Sequence, residues 1–348
     1  MASVEEKKMP KTTPKYQPLV TVIMPFFNAA ELLTRSMDSL VNQSYQNIEI
    51  ILIDDGSEDS SLSLCKSYSS RDKRIKVYTQ LNAGAAAARN YAISLATGTY
   101  VCFLDSDDWI ERSYIATLVE LAERNNADIS ACSYYHAYED GTNTVIKNRP
   151  TFRSFSNIEA VRDVLSEESL LETMLWNKLY KRDLFDINNI TMPVGNIYED
   201  SRILYKLLYF SKKTILVDKP LYFYFQRRDS VMHYKVQRKN VELLMNIPKE
   251  TAEWLNNKTK GLNLELNSYE LTGIINALNY MVDGGTIYKD IYRALRKRTV
   301  LQFSRIWKNS YISFTRKILA MLLIFGGYYP YSVVRKAYIK LGRNRTVL

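Results

Sequence analysis

Histidine is nearly absent from this 348-residue sequence, occurring only as His136 and His233. That all but removes histidine-based zinc chemistry from consideration. Cysteine is equally sparse. Cys65, Cys102 and Cys132 show no CxxC spacing, and two of them fall in apolar, strand-like runs. This favours buried thiols in a reducing compartment over disulfides or a metal knot. The opening stretch MASVEEKKMPKTTPKYQP mixes charge and proline and lacks an apolar h-region, so residues 1–17 read as a flexible leader. Acidic residues are also missing from one end. None occurs after Asp290, whereas residues 291–348 hold 13 Lys or Arg. Removing those from the total of 47 leaves 34 basic against 37 acidic residues, so residues 1–290 are slightly acidic and the net charge of +10 belongs to the tail. An anionic partner is expected for the tail alone.

What is present is a globular composition, 46% apolar and rich in tyrosine, and long enough for a sizeable core. The first 130 residues alternate between two hydrophobic periods. LVTVIMP (19–25), IEIILID (48–54), RIKVYTQ (74–80) and TYVCFLD (99–105) read as strands. Between them, residues 29–43 place Leu33, Met37, Leu40 and Val41 on one helical stripe, residues 57–70 open with helix-start residues, and residues 83–96 form an alanine-rich helix. This alternation predicts an α/β fold with a mostly parallel sheet and helices on both faces. In such sheets, ligands collect beyond the carboxyl ends of the strands.

Polar groups cluster at those ends. The four tips are Pro25-Phe26-Phe27-Asn28, Asp54-Asp55-Gly56-Ser57, Asn82-Ala83-Gly84 and Asp105-Ser106-Asp107-Asp108. Asp105 and Asp107 can hold one hard divalent cation, leaving positions for water and phosphate oxygens. An acidic turn capping a helix is the competing reading of the same residues. Asp54 can accept hydrogen bonds from a base edge. Gly56 and Gly84 allow close backbone approach ahead of helix N-termini suited to a phosphate.

Taken together, VTVIMPFFNAAELLTRSMDSLVNQSYQNIEIILIDDGSEDSS, NAGAAAARNYAISLATGTYVCFLDSDDWI, LWNKLYKRDLF, GNIYEDSRILYKLL and KPLYFYFQRRDSVMH resemble the segments of a family 2 glycosyltransferase of the GT-A fold. They occur in the family's order over roughly residues 18–235. The resemblance implies a nucleotide-sugar donor, usually with uracil. It places the base at Pro25, Phe27 and Asp54, with Asn28 and Gly56 in the same tips. Gly84, Arg89 and Asn90 would shape the nucleotide pocket. Asp105, Ser106 and Asp107 match the DxD segment that meets ribose, diphosphate and Mn²⁺ or Mg²⁺. Phe27 departs from the commoner tyrosine, keeping a ring but losing a hydroxyl. Trp176, Asn177 and Lys178 match a segment near the acceptor, where Trp176 can stack on a sugar or serve as a buried anchor. Arg227, Arg228, Ser230 and His233 follow a strand and can close over the diphosphate, a bidentate arginine suiting phosphate.

Tyr198-Glu199-Asp200 opens an apolar helix, where first-turn acids are favoured by the helix dipole alone. The resemblance assigns the catalytic base to this pair, with Asp200 at the position itself. The chemistry calls for such a group, because inversion requires a carboxylate to take the acceptor's proton opposite the departing diphosphate.

Residues 18–130 are thus expected to form the nucleotide half, 131–235 the acceptor half, and 236–348 a helical extension. In the extension, Ile318–Phe325 is far shorter than the ~20 residues needed to cross a bilayer. Val334, Tyr338 and Leu341 recur at helical spacing opposite Arg335, Lys336 and Lys340. An amphipathic helix on an anionic membrane is expected, with packing on the catalytic domain or an oligomer seam as the alternatives. No nucleic-acid partner is expected. The full expectation is a metal-dependent, inverting transfer of a hexose or N-acetylhexosamine from a UDP-sugar to a lipid-linked saccharide at the inner face of the cell membrane. A catalytically silent scaffold and a polysaccharide polymerase are the rival readings.

Overall fold

The computed structural model describes residues 17–145, 151–195, 197–226 and 236–340, with side chains to residue 337. The amino-terminal part follows the expected alternation: β1 (Val20–Phe26), α1 (Ala30–Val41), β2 (Ile48–Asp54), α2 (Ser61–Arg71), β3 (Ile75–Thr79), α3 (Ala85–Leu95) and β4 (Tyr100–Phe103). Next come β5 (Trp109–Ile110), α4 (Tyr114–Asn125), β6 (Ile129–Tyr138), β7 (Asn143–Val145), β8 (Phe152–Ser156), α5 (Asn157–Leu165), β9 (Lys178–Lys181), α6 (Asp183–Asp186), α7 (Glu199–Phe210) and β10 (Lys213–Gln226).

All ten strands join one sheet, whose main path runs β3-β2-β1-β4-β9-β6-β10-β5. The first four strands are parallel. β9 runs antiparallel to both β4 and β6, which leaves β6 and its parallel neighbour β10 pointing the same way as β4. Six strands therefore end on one rim. Antiparallel β5, β7 and β8 complete the second half, a mixed arrangement that the irregular sequence after residue 130 did not specify.

β1 and β2 are buried along their whole length, because helices cover both faces and alternation is lost. One core lies under α3, α5 and α7, and the other under α1, α2 and α4. In α3, Ala86, Ala88 and Ala92 are buried; small side chains let the helix lie close to the sheet, and Arg89 is carried inward with them. α7 buries Ile203, Leu204, Leu207 and Leu208, a stripe that fixes which way its first turn faces.

The extension consists of α8 (Arg238–Asn256), α9 (Asn263–Asp283), α10 (Lys289–Lys308), α11 (Phe314–Met321), a π-helical turn (Leu322–Gly326) and α12 (Tyr328–Lys340). It has a core of its own, including Leu278, Met281, Leu295 and Tyr331. Leu255, Leu262 and Leu266 instead join the α5–α7 core, so the extension is packed onto the sheet-bearing part. Gly273 allows α9 to touch α8: a Cβ there would stand 2.6 Å from Pro248 Cγ and 2.7 Å from the Leu244 carbonyl. α12 packs against α9. Tyr331 is buried and donates to Asn279 (2.9 Å), and Arg335 pairs with Asp283 of α9 (2.7 Å). Val334 does face outward, while the side chains of Tyr338, Lys340 and Leu341 lie outside the described residues.

Candidate active site

The β1 and β2 tips are latched together by local hydrogen bonds. Asn28 has a left-handed φ of 45°; its Oδ1 accepts from the Glu58 N–H (2.9 Å), and its own N–H donates to the Ser57 hydroxyl (3.1 Å). The N–H groups of Ala29 and Ala30 at the start of α1 donate to Ser61 Oγ and Asp59 Oδ2. Asn28 is thus occupied in shaping the loop. Phe27 beside it is 47% exposed, an available ring at the rim. Pro25 is buried within β1.

Adjacent carboxylates on β2 do different work. Asp54 is buried and accepts from the Ser57 N–H at 3.0 Å, closing a turn that Gly56 permits with φ +81°. Asp55 was not singled out in the sequence, yet it fixes the β3 tip. Its Oδ1 accepts from Gln80 Nε2 (2.7 Å) and the Ala83 N–H (2.9 Å), and its Oδ2 from the Gly84 N–H (2.8 Å). Gly84, with φ +88°, caps α3 and has no atom near the place where a Cβ would stand. The N-terminus of α3 is therefore presented to open space at the rim.

Arg89, one turn into α3, lies at the centre of the arrangement. Its Nη2 is 2.6 Å from Asp105 Oδ1, and its Nη1 is 2.6 Å from Glu199 Oε1. Burial works against its charge, but Asp105, Asp200 and Glu199 outweigh that and hold its pKa above the usual arginine range. One guanidinium thereby joins the end of β4 to the start of α7. It compensates Asp105, whereas Arg35 is the cation that feels Asp107 and Asp108.

Asp200 follows Glu199 in the first turn of α7. Tyr198 before it takes a left-handed φ of 65°, which turns the chain abruptly into the helix. Asp200 Oδ2 accepts from the Leu175 N–H at 3.1 Å, while Oδ1 is buried with no hydrogen-bond partner among the described residues. Burial, opposed by Arg89 and reinforced by Glu199 and Asp105, raises its pKa to about 7. A carboxylate with one free oxygen and a pKa near neutrality is suited to accepting a proton.

The DxD turn is held from behind. The Asp105 N–H donates to the Tyr222 hydroxyl (3.3 Å), which itself donates to Asp108 Oδ2 (2.6 Å). The Phe225 N–H donates to Asp108 Oδ1 at 2.8 Å. Asp108 is fully buried; burial first, then Asp107 and Asp105, push its pKa well above the usual carboxylate range. The Ser36 hydroxyl lies 2.9 Å from the Ser106 carbonyl and 2.5 Å from that of Asp108. Asp105 keeps 29% of its side chain exposed, with Oδ1 on Arg89 and no hydrogen bond to Oδ2 among the described residues. Asp107 is half-buried.

Of the two readings left open for Trp176, the structure shows the buried one. Trp176 is 4% exposed and stacks on Tyr222 at 4.2 Å and 22°, so it is an anchor behind the DxD turn with no face open to a sugar. Asn177 and Lys178 are wholly buried. Asn177 Nδ2 donates to the Cys132 carbonyl (2.8 Å), and Lys178 Nζ donates to Asn177 Oδ1 (2.7 Å) and the Met174 carbonyl (2.6 Å). These bonds fix the backbone that presents the Leu175 N–H to Asp200. Asn90 is likewise committed, exchanging two 2.8 Å bonds with the Met192 backbone. It braces the chain that leads to α7. Arg227, Arg228, Ser230 and His233 lie outside the described residues.

Among the described residues no group of three or more His, Cys, Asp or Glu is arranged to hold a metal.

The family model described as glycosyl transferase family 2 matches residues 21–198, half of the chain. This chain belongs to that family. Its GT-A fold also appears in residues 1–349 of TarS from S. aureus, solved with UDP-GlcNAc, at a TM-score of 0.64, 18% identity and coverage of 92% of this chain and 91% of that one. A mannosyltransferase, PcManGT from Pyrobaculum calidifontis, solved with GDP-Man and Mn²⁺, aligns at a TM-score of 0.53 and 14% identity over 97% of this chain and 92% of that one. By sequence, the chain is 35% identical over 221 residues to glycosyltransferase GlyA of Streptococcus pneumoniae, spanning 61% of this chain but 31% of GlyA. The chain thus spans under a third of that relative's length. The family match covers β1 through β9, including the tips of β1, β2 and β4, and ends just before α7 and β10.

Proposed function

We propose that this chain transfers a hexose or N-acetylhexosamine from a UDP-sugar to a saccharide acceptor, with inversion at the anomeric carbon. The observation that carries the reading is the Arg89 bridge, which puts Glu199 and Asp200 beside Asp105 from distant parts of the chain. Phe27 offers a ring for the base, Asp54 a nearby acceptor, and the open N-terminus of α3 a site for phosphate. Asp200 takes the proton from the attacking hydroxyl; Leu175 orients its other oxygen, and Arg89 stabilises the carboxylate form. The TarS complex with UDP-GlcNAc supports a nucleotide-sugar donor, and the uracil preference follows the family resemblance.

The DxD pair fits a hard divalent cation, Mn²⁺ or Mg²⁺. Its donors are carboxylate oxygens, Asp105 Oδ2 is available, and two protein ligands leave positions for water and diphosphate. The Mn²⁺ in PcManGT supports the same choice. When bound, such an ion offsets charge on the departing diphosphate. No described helix is long and apolar enough to cross a membrane, and the basic extension favours an acceptor carried on a lipid at an anionic surface.

The test is a donor panel of UDP- and GDP-sugars with Mn²⁺ or Mg²⁺, read by nucleotide release and anomeric NMR of the product. Transfer from a UDP-sugar with an inverted linkage, lost in Asp107→Asn and Asp200→Asn, is expected. Full activity in either variant would remove that residue's role.

A further inference from the structure

Helix α10 turns two stripes outward. At 100° per residue, Val300, Phe303 and Trp307 fall on one, and Arg293, Lys297 and Lys308 fall on the next. Ile291, Leu295, Thr299 and Ile306 face inward. The π-helical turn adds Phe325 to the apolar stripe, edge-on to Phe303 at 6.1 Å. The Arg296 Nε–H donates to the Ile324 carbonyl at 2.9 Å and holds this turn against α10. Phe325 is 75% exposed and Leu301, beside the basic stripe, 73%. Single exposed apolar residues are ordinary, but a contiguous aromatic patch beside a row of cations is not.

The extension's cations divide by direction. Arg298, Arg316 and Arg335 point inward and pair with Glu270, Glu167 and Asp283. Arg293, Lys297, Arg305 and Lys308 are exposed and have no ion pair among the described residues. No acid follows Asp290 to neutralise them.

We propose that this face of α10, with Phe325, is the surface by which the protein docks on an anionic lipid bilayer, in place of the α12 stripe that the sequence suggests. The aromatic rings enter the acyl boundary while the neighbouring row of cations meets lipid headgroups. A second copy of the chain fits this face less well, since a twofold contact would set cations against cations. The inference deepens the lipid-linked acceptor reading. Vesicle binding and sugar transfer are measured separately, so each can fail alone.

The experiment is flotation of the full-length chain with phosphatidylcholine vesicles, with and without about one-third phosphatidylglycerol. The chain floats only with the anionic vesicles, and added salt releases it. The double variant Leu301→Asp/Phe325→Asp loses at least about tenfold in partitioning, and Lys297→Ala and Lys308→Ala lose about fivefold each. Val334→Asp on α12 changes little. Unchanged thermal midpoints and unchanged transfer to a water-soluble acceptor confirm that the variants are intact. Absence of binding to anionic vesicles overturns the proposal, as does equal binding by the double variant. Self-association abolished by the same double variant, with no vesicle binding in the parent, assigns the face to a protein contact and also overturns it.

Discussion

Arg89 and Asp105 lie 16 positions apart in the chain yet meet at 2.6 Å, and the same guanidinium reaches Glu199 at 2.6 Å across another 94 positions. A buried cation shared by carboxylates just after β4 and at the start of α7 makes these two chain segments one electrostatic unit. Replacing it with an apolar side chain leaves those carboxylates facing one another with no compensating charge. Arg89→Met is therefore expected to lose about 3–5 kcal/mol of stability at neutral pH by urea denaturation. Part of that loss is recovered on acidification, as the acids take up protons.

Asp200 gives the pH dependence. Its folded pKa is raised to about 7 from an ordinary value of 3.8, so the folded state holds a proton that the unfolded chain has released. This raised carboxyl therefore costs stability as pH rises from about 4 through 7. Asp200→Asn, which cannot ionise, should gain thermal stability over the parent at pH 8 and lose that advantage at pH 5. Transfer runs the other way. A base must be deprotonated, so kcat/KM should rise through pH 7 and level off above it.

Tyr222 tests the support behind the DxD turn. Removing its hydroxyl strands the Asp105 N–H and one Asp108 oxygen, both bonded to it in the fold. Tyr222→Phe is expected to cost about 1–3 kcal/mol by urea denaturation. It should also raise KM for the donor more than it lowers kcat, because the turn is loosened and Asp200 is untouched.

Trp176 separates anchoring from acceptor binding. Because its ring is covered by Tyr222, Tyr224 and Tyr134, Trp176→Ala should destabilise the protein by about 3–5 kcal/mol. Trp176→Phe should fold and leave KM for the acceptor within about twofold.

Much of this was legible because parallel strands write themselves as continuous apolar runs. β2 and β4 fall within the segments IEIILID and TYVCFLD, and β1 runs one residue past LVTVIMP. Their tips then marked the rim. The second half was not legible, since β6, β9 and β10 take partners far apart in sequence and a short antiparallel strand leaves no periodicity. The DxD carboxylates and the Glu199-Asp200 pair could be named from their setting. Arg89 could be named as a pocket residue, but its bridging of the two acidic segments was not legible, because nothing in an alanine-rich helix tells which acids an inward arginine will meet. Asp55 was obscured by its neighbour Asp54, and Asp108 by Asp107. Neighbouring acids in such doublets take different partners, and the sequence pattern does not say which. Trp176, Asn177 and Lys178 are polar or aromatic enough to suggest a binding surface, yet Trp176 is covered by tyrosines, and Asn177 and Lys178 bond to each other and to backbone carbonyls.

The most direct measurement compares single-turnover transfer by the parent and by Asp200→Asn, with nucleotide binding followed by calorimetry on both. Donor binding unchanged within about twofold, with transfer reduced about 10²–10⁴-fold, is the expected result for a general base. Transfer by Asp200→Asn at the parent's rate, with the parent's dependence on pH, would contradict the assignment of the proton to this carboxylate.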